Sequence, residues 1–133
     1  PVQVADVAHA LFAMGCYEIS LGDTIGAGRS DSITRMLDAV ALRVPVGHLA
    51  GHYHDTGGRA LENIDASLGR GVRVFDAAVG GLGGCPYAPG APGNVATEAV
   101  ARHLAARGYV TGLDQGALDA AAAMARGGRD GQA

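Results

Sequence analysis

His48-Leu49-Ala50-Gly51-His52-Tyr53-His54-Asp55-Thr56-Gly57-Gly58 is the stretch that decides the fold. Residues 48–54 read as a strand and residues 55–58 as the turn that leaves it. Period-two alternation sends His52 and His54 to one face and Tyr53 to the other, toward surrounding helices. His48 shares the histidine parity but lies at the amino end, where a structural role is expected. Helical spacing then takes over at Ala60, Leu61, Ile64 and Leu68, and Gly69 to Gly71 close that helix. A strand feeding a helix in this way is one unit of a parallel sheet, because parallel neighbours need a crossover between them.

Upstream, Val4, Val7, Ala8, Leu11 and Phe12 predict a helix from Val2 to Met14, stopped by Gly15. Cys16 to Leu21 alternates polar and apolar residues and reads as a strand, with Cys16 as a small packing residue inside it. Gly22 to Gly28 is a loop carrying Asp23. Ser30 or Asp31 can cap a helix through Ile33, Met36, Leu37, Val40 and Ala41 that ends before Pro45. Downstream, Val72 to Val79 reads as a third strand.

Gly80–Gly93 follows it, with six glycines and three prolines in fourteen residues, and is expected to have no regular structure. A loop of that length in a compact domain is either a functional lid or a linker. Val95 to Arg107 and Leu113 to Arg126 read as helices, and residues 127–133 as a frayed tail. The order is α-β-α-β-α-β-loop-α-α. Residues 1–112 are expected to form the sheet-and-helix unit, and residues 113–133 a terminal helix and tail.

Asp23, His52, His54, Asp55, Cys85 and Asn94 all fall at or after the carboxyl end of a strand, where open α/β sheets and (β/α)8 barrels place their sites. No G-x-G-x-x-G opens a helix after a strand, which favours the barrel. Three strands cannot close one.

The 133 residues allow one ordinary domain. Hydrophobic residues make up 48% but aromatics only 5%, so the core is expected to be aliphatic. A net charge of −3 with no basic run argues against a nucleic-acid partner. No apolar run approaches the ~20 residues that span a bilayer. The two cysteines lie far apart, a pattern that suits a reducing compartment. A start at Pro1 without a leader-type segment suggests a piece of a longer protein.

Two imidazoles on one strand face make half of a metal site, since neutral imidazole suits divalent metals. The same pair is also compatible with two strand-end histidines bonded to backbone carbonyls. Asp55 can orient an imidazole or cap the next helix, and the cap is the simpler role. Asp23 can accept a proton or serve its own turn. Cys85, in a glycine-rich loop, is a thiol able to exchange a proton near neutrality. Spacing alone makes Asn94 a helix cap and Glu98 an i,i+4 partner of Arg102.

Leu21-Gly22-Asp23-Thr24-Ile25-Gly26, His52-Tyr53-His54-Asp55-Thr56, Gly81-Leu82-Gly83-Gly84-Cys85-Pro86-Tyr87-Ala88 and Gly93-Asn94-Val95-Ala96-Thr97-Glu98 together resemble the hydroxymethylglutaryl-CoA lyase family over about residues 1 to 120. The resemblance implies a partial (β/α)8 TIM barrel, an α/β fold in which this chain supplies the last three parallel strands with their helices. It also implies that His52, His54 and Asn94 bind Mg2+ or Mn2+. Cys85 would be the catalytic thiol, with His52, Asp23 and Glu98 as further catalytic residues. The family's first-strand Arg and metal-binding Asp have no counterpart here. Partners implied are an acyl-CoA substrate, the missing amino-terminal half of the barrel and, once complete, further copies of the protein. The location implied is the bacterial cytoplasm, or the mitochondrial matrix in a eukaryote.

The implied reaction is retro-Claisen cleavage of (S)-3-hydroxy-3-methylglutaryl-CoA to acetoacetate and acetyl-CoA. Isopropylmalate and homocitrate synthases share the H-x-H and the Gly-Asn pair but lack the Gly-Gly-Cys-Pro-Tyr loop, which puts them second. A fragment or degenerate module that kept the motifs without activity is the other alternative. Asn94, tethered through the glycine loop, is expected to be poorly preorganised, and no carboxylate is foreseen beside the three donors.

Overall fold

The computed structural model describes residues 1–85 and 88–130, with side chains for residues 1–83 and 93–128. Three strands, β1 (Ile19–Asp23), β2 (Leu49–Tyr53) and β3 (Val74–Phe75), form a parallel sheet in the order β1-β2-β3. Ile19 lies opposite Leu49 and Asp23 opposite Tyr53, while Ala50 and Gly51 face Val74 and Phe75. Around the sheet lie helices α1 (Val2–Ala13), α2 (Ser30–Ala41), α3 (Ala60–Gly69), α4 (Thr97–Ala106) and α5 (Gln115–Asp130), with two short 3-10 turns. This is the expected α/β arrangement, three successive strand-helix units of a (β/α) barrel. No described helix is long and apolar enough to cross a membrane.

The alternation read from the sequence sets the sidedness of the sheet. Ile19, Leu21, Leu49 and Tyr53 are buried in one core with Ala5 and Ala8 of α1, Ile33, Leu37 and Val40 of α2, and Ala60, Ile64 and Leu68 of α3. Tyr53 points toward α3, where its hydroxyl meets Ser67 Oγ at 2.7 Å. Burial pushes the Tyr53 pKa up, and the Ser67 bond offsets part of that rise. Gly51 is required on the same face, since a Cβ there would come within 2.8 Å of the Tyr53 ring and 3.0 Å of Phe75. On the opposite face Ser20 and Gly22 are exposed, so the helices cover one side of β1 only.

Several boundaries differ from the sequence reading. β1 begins at Ile19, and Cys16 is exposed outside it, its N–H bonded to Leu11 O at the end of α1. β2 is preceded by a 3-10 turn at Val46–His48, where His48 Nδ1 lies 2.7 Å from Tyr17 O and its ring packs on Phe12. That is the structural role expected of it. α2 starts at Ser30 itself, after Arg29, whose N–H is taken by Ser32 Oγ.

β3 is two residues long rather than eight, because the backbone beyond Phe75 changes partners. Asp76 N–H still donates to Gly51 O, but Ala78 N–H donates to Val95 O and Thr97 N–H to Ala78 O. The segment before α4 thereby takes over the hydrogen bonds that a longer strand would have given β2. The glycine loop is not irregular throughout. It contains an antiparallel ribbon, β4 (Gly84–Cys85) with β5 (Ala88–Pro92). α5 continues to Asp130, past the point where the sequence reading ended it.

Candidate active site

The end of β2 organises the site. His52 is its penultimate residue and His54 follows it directly, with ring centroids 4.9 Å apart at 62°. His54 is held from both sides by backbone. Its N–H donates to Asp23 O at the end of β1, and it forms an isolated bridge with Asn94. The flanking bonds, Asp55 N–H to Gly93 O and Val95 N–H to Tyr53 O, fix Asn94 beside the histidines. Asn94 is therefore tied to β2 by backbone and not only through the glycine loop, which corrects the expectation of a loose tether.

His54 is 7% exposed, and its Nδ1 has no hydrogen-bond partner among the described residues. Such a buried, unsatisfied nitrogen costs about 1–3 kcal/mol unless something takes it. His52 Nδ1, in contrast, lies 2.7 Å from Asp76 Oδ1. Asn94 Nδ2 donates to that same oxygen, and Asn94 Oδ1 accepts Val95 N–H at 2.9 Å. Asp76 stands just past β3 and its side chain is about half exposed. It is a functional-site candidate that the sequence reading missed. The signal was present, an acid at the carboxyl end of a strand, but extending the strand to Val79 hid it.

Asp23 ends β1. Its Oδ1 accepts Ala27 N–H at 3.1 Å and its Oδ2 accepts Gly28 N–H at 2.8 Å, so the carboxylate staples its own loop. Asp55 does the same for the next turn, accepting Ala60 N–H at 3.0 Å at the start of α3.

Glu98 lies in the first turn of α4 and is 6% exposed. Its Oε2 accepts Gly80 N–H at 3.0 Å and its Oε1 accepts from Arg126 of α5 at 2.9 Å. Burial pushes the Glu98 pKa up, but the Gly80 N–H, its own N–H and the Arg126 guanidinium outweigh burial and hold the carboxyl below its usual value. The expected pairing with Arg102 does not form, because Arg102 binds Asp119 of α5 instead. The side chain of Cys85 lies outside the described residues. Asn94 is not a helix cap, since α4 begins only at Thr97.

The structure thus brings His52, His54 and Asn94 together, with Asp23 one strand away, and sets Glu98 under the start of the glycine loop at Gly80. Among the described residues no group of three or more His, Cys, Asp and Glu side chains could hold a metal ion. The His52–His54–Asn94 set has two imidazoles and an amide, and the orphaned His54 nitrogen fits a ligand role.

A family model described as HMGL-like matches residues 1–125. The hydroxymethylglutaryl-CoA lyase of Pseudomonas mevalonii is 57% identical over 114 residues, covering 86% of this chain and 38% of that protein. A 3-hydroxy-3-isohexenylglutaryl-CoA/hydroxy-methylglutaryl-CoA lyase of Pseudomonas aeruginosa is 58% identical over 118 residues, covering 89% of this chain and 39% of that protein. The crystal structure of the HMG-CoA lyase from Brucella melitensis superposes with a TM-score of 0.95 at 57% identity, over 98% of this chain and 46% of that one. The chain therefore spans roughly two-fifths of the length of the curated relatives it matches. With the motifs, the parallel sheet and the strand-end histidines in agreement, the chain belongs to the HMGL-like family.

Proposed function

We propose that this chain forms one wall of a complete barrel that cleaves 3-hydroxy-3-methylglutaryl-CoA to acetoacetate and acetyl-CoA. The observation that supports the reading best is the adjacent His52–His54 pair with its buried nitrogen, unpartnered among the described residues, in a chain 57–58% identical to lyases of that description. His52, His54 and Asn94 would hold Mg2+ or Mn2+, which lowers the pKa of a coordinated hydroxyl and orients it.

The remaining steps fall to the chain's own groups. With Nδ1–H donated to Asp76, His52 keeps one lone pair, on Nε2, which cannot be ligand and base at once. We assign that lone pair to the ligand set and the substrate's hydroxyl proton to Asp23, whose oxygens each keep a lone pair beyond their backbone bond. Loss of that proton forms the ketone as the neighbouring C–C bond breaks, and its electron pair passes to the acetyl-CoA fragment as an enolate. Cys85 then supplies the proton that converts the enolate to acetyl-CoA. Glu98 acts through Gly80, holding the start of the loop that carries Cys85.

β1 and β3 each have one hydrogen-bonded neighbour in the described sheet, which leaves edges where the barrel's other strands would pair. The test is to assay acetoacetate release by the chain alone, and by the chain combined with separately made amino-terminal strands of the barrel. No release from the chain and metal-dependent release from the combination is the expected result. Robust release from the chain alone would show the other strands to be dispensable. A combination that assembles but releases nothing favours the inactive-module alternative.

A further inference from the structure

We propose that Asp76 is a positioning residue that sets which lone pairs His52 and Asn94 present to the cation. The proposal rests on the ligand assignment made above. An ionised carboxylate can only accept hydrogen bonds. Because Asp76 Oδ1 lies 2.7 Å from His52 Nδ1, that nitrogen must carry the proton, and the lone pair of the neutral ring is left on Nε2. Because the same oxygen also faces the Asn94 side chain, the amide must turn its NH2 group toward it. The Asn94 carbonyl then points away, with one lone pair used by Val95 N–H and the other open among the described residues. One oxygen therefore puts two side chains from different segments into the acceptor state that a metal ligand needs.

The carboxylate is itself held in register. Asp76 N–H donates to Gly51 O at 3.2 Å, one residue before His52, so the acid and the imidazole are fixed to the same point of β2. Among the described residues His54 has no such partner on Nδ1, and the two histidines are unequal as a result: a carboxylate holds His52 Nδ1 and none holds His54 Nδ1. Asp76 also places a negative charge beside a donor set that otherwise has none, which offsets part of the charge of a divalent ion.

The experiment uses the chain itself, with 15N-labelled histidine, and the Asp76→Ala and Asp76→Asn variants. The side chain of Asp76 is half exposed, so both variants should keep the fold, which amide spectra verify. At about pH 8, where an ordinary imidazole is neutral, His52 should be the Nδ1–H tautomer in the parent. It should move toward Nε2–H in Asp76→Ala and stay closer to the parent in Asp76→Asn, whose amide oxygen still accepts. Mn2+ affinity, by calorimetry in the assembled barrel, should fall about 10- to 100-fold in Asp76→Ala. A His52 tautomer unchanged by Asp76→Ala overturns the proposal whatever the Mn2+ result. A tautomer shift without any Mn2+ binding by the parent sinks the ligand assignment, and with it the metal-directed half of this proposal.

Discussion

The carboxylate of Glu98 and the guanidinium of Arg126 meet at 2.9 Å, joining the first turn of α4 to the far end of α5 across 28 residues of chain. Because Glu98 also takes the Gly80 N–H, the terminal helix, α4 and the start of the glycine loop share one buried acid. Removing that acid, as in Glu98→Ala, should cost about 2 kcal/mol, since it leaves the Gly80 N–H without its acceptor and ends the bond to Arg126. Arg126→Ala should cost about 1 kcal/mol, since its side chain is 51% exposed and screened by water. Urea denaturation of the chain checks both, and equal costs would show that Gly80 contributes nothing.

The same acid gives a pH dependence whose sign is fixed. Glu98 is held below its ordinary pKa of 4.5 in the folded chain, with burial opposing and the Gly80 and Arg126 bonds prevailing. A depressed carboxyl stabilises the fold fully above its unfolded pKa and loses that contribution as pH falls through the folded one. The stability gap between the parent and Glu98→Gln should therefore be constant from neutral pH down to about 4.5 and shrink below it. Chemical denaturation across that range reads the gap, and a gap that widens on acidification contradicts the assignment.

Gly80 adopts φ 69°, and a Cβ there would come within 3.2 Å of Ala125 Cβ and 3.3 Å of Ala122 O. Both the left-handed backbone and the crowding against α5 penalise a side chain. Gly80→Ala should lower stability by about 2 kcal/mol, most of it the left-handed penalty. A neutral effect in thermal melts would contradict the left-handed backbone at Gly80, because relief of the α5 contact alone leaves that penalty in place.

In the assembled barrel, His54→Ala should remove a ligand, abolish nearly all activity and leave most of the fold intact. Metal affinity unchanged by calorimetry rules the ligand role out.

Cys85→Ala should keep metal and substrate binding yet lose turnover by about 100-fold or more, the scale of a general acid–base group. Cys16→Ala should leave turnover unchanged, since that thiol is exposed beside the end of α1. The reverse ranking of the two variants would remove Cys85 from the mechanism.

The sidedness of the sheet was legible in the sequence because it rests on parity alone: Ile19, Leu21, Leu49 and Tyr53 face the helices as their alternation requires. Strand length was not legible. Val72 to Val79 satisfies β propensity, but Ala78 takes its partner from Val95, and no local pattern reveals that exchange. For the same reason Asp76 was hidden, since its value as an acceptor depends on two side chains 24 and 18 residues away. Glu98 illustrates the opposite error. An i,i+4 rule offered Arg102, whereas burial selected Arg126 from a helix that composition describes only as alanine-rich.

The backbone seam that joins residues 53–55 to residues 93–95 also decides what a cut in the chain would do. Every covalent path between β2 and α4 runs through α3, β3 and the glycine loop, yet these bonds, with the Ala78–Ala96 bridge and the Gly80–Glu98 contact, join the two sides directly. Backbone continuity through the loop is thus not what keeps α4 and α5 in place. A chain carrying an engineered protease site between Tyr87 and Ala88 should, once cleaved, elute as a single particle containing both fragments. Its two pieces, made separately, should find each other without a linker.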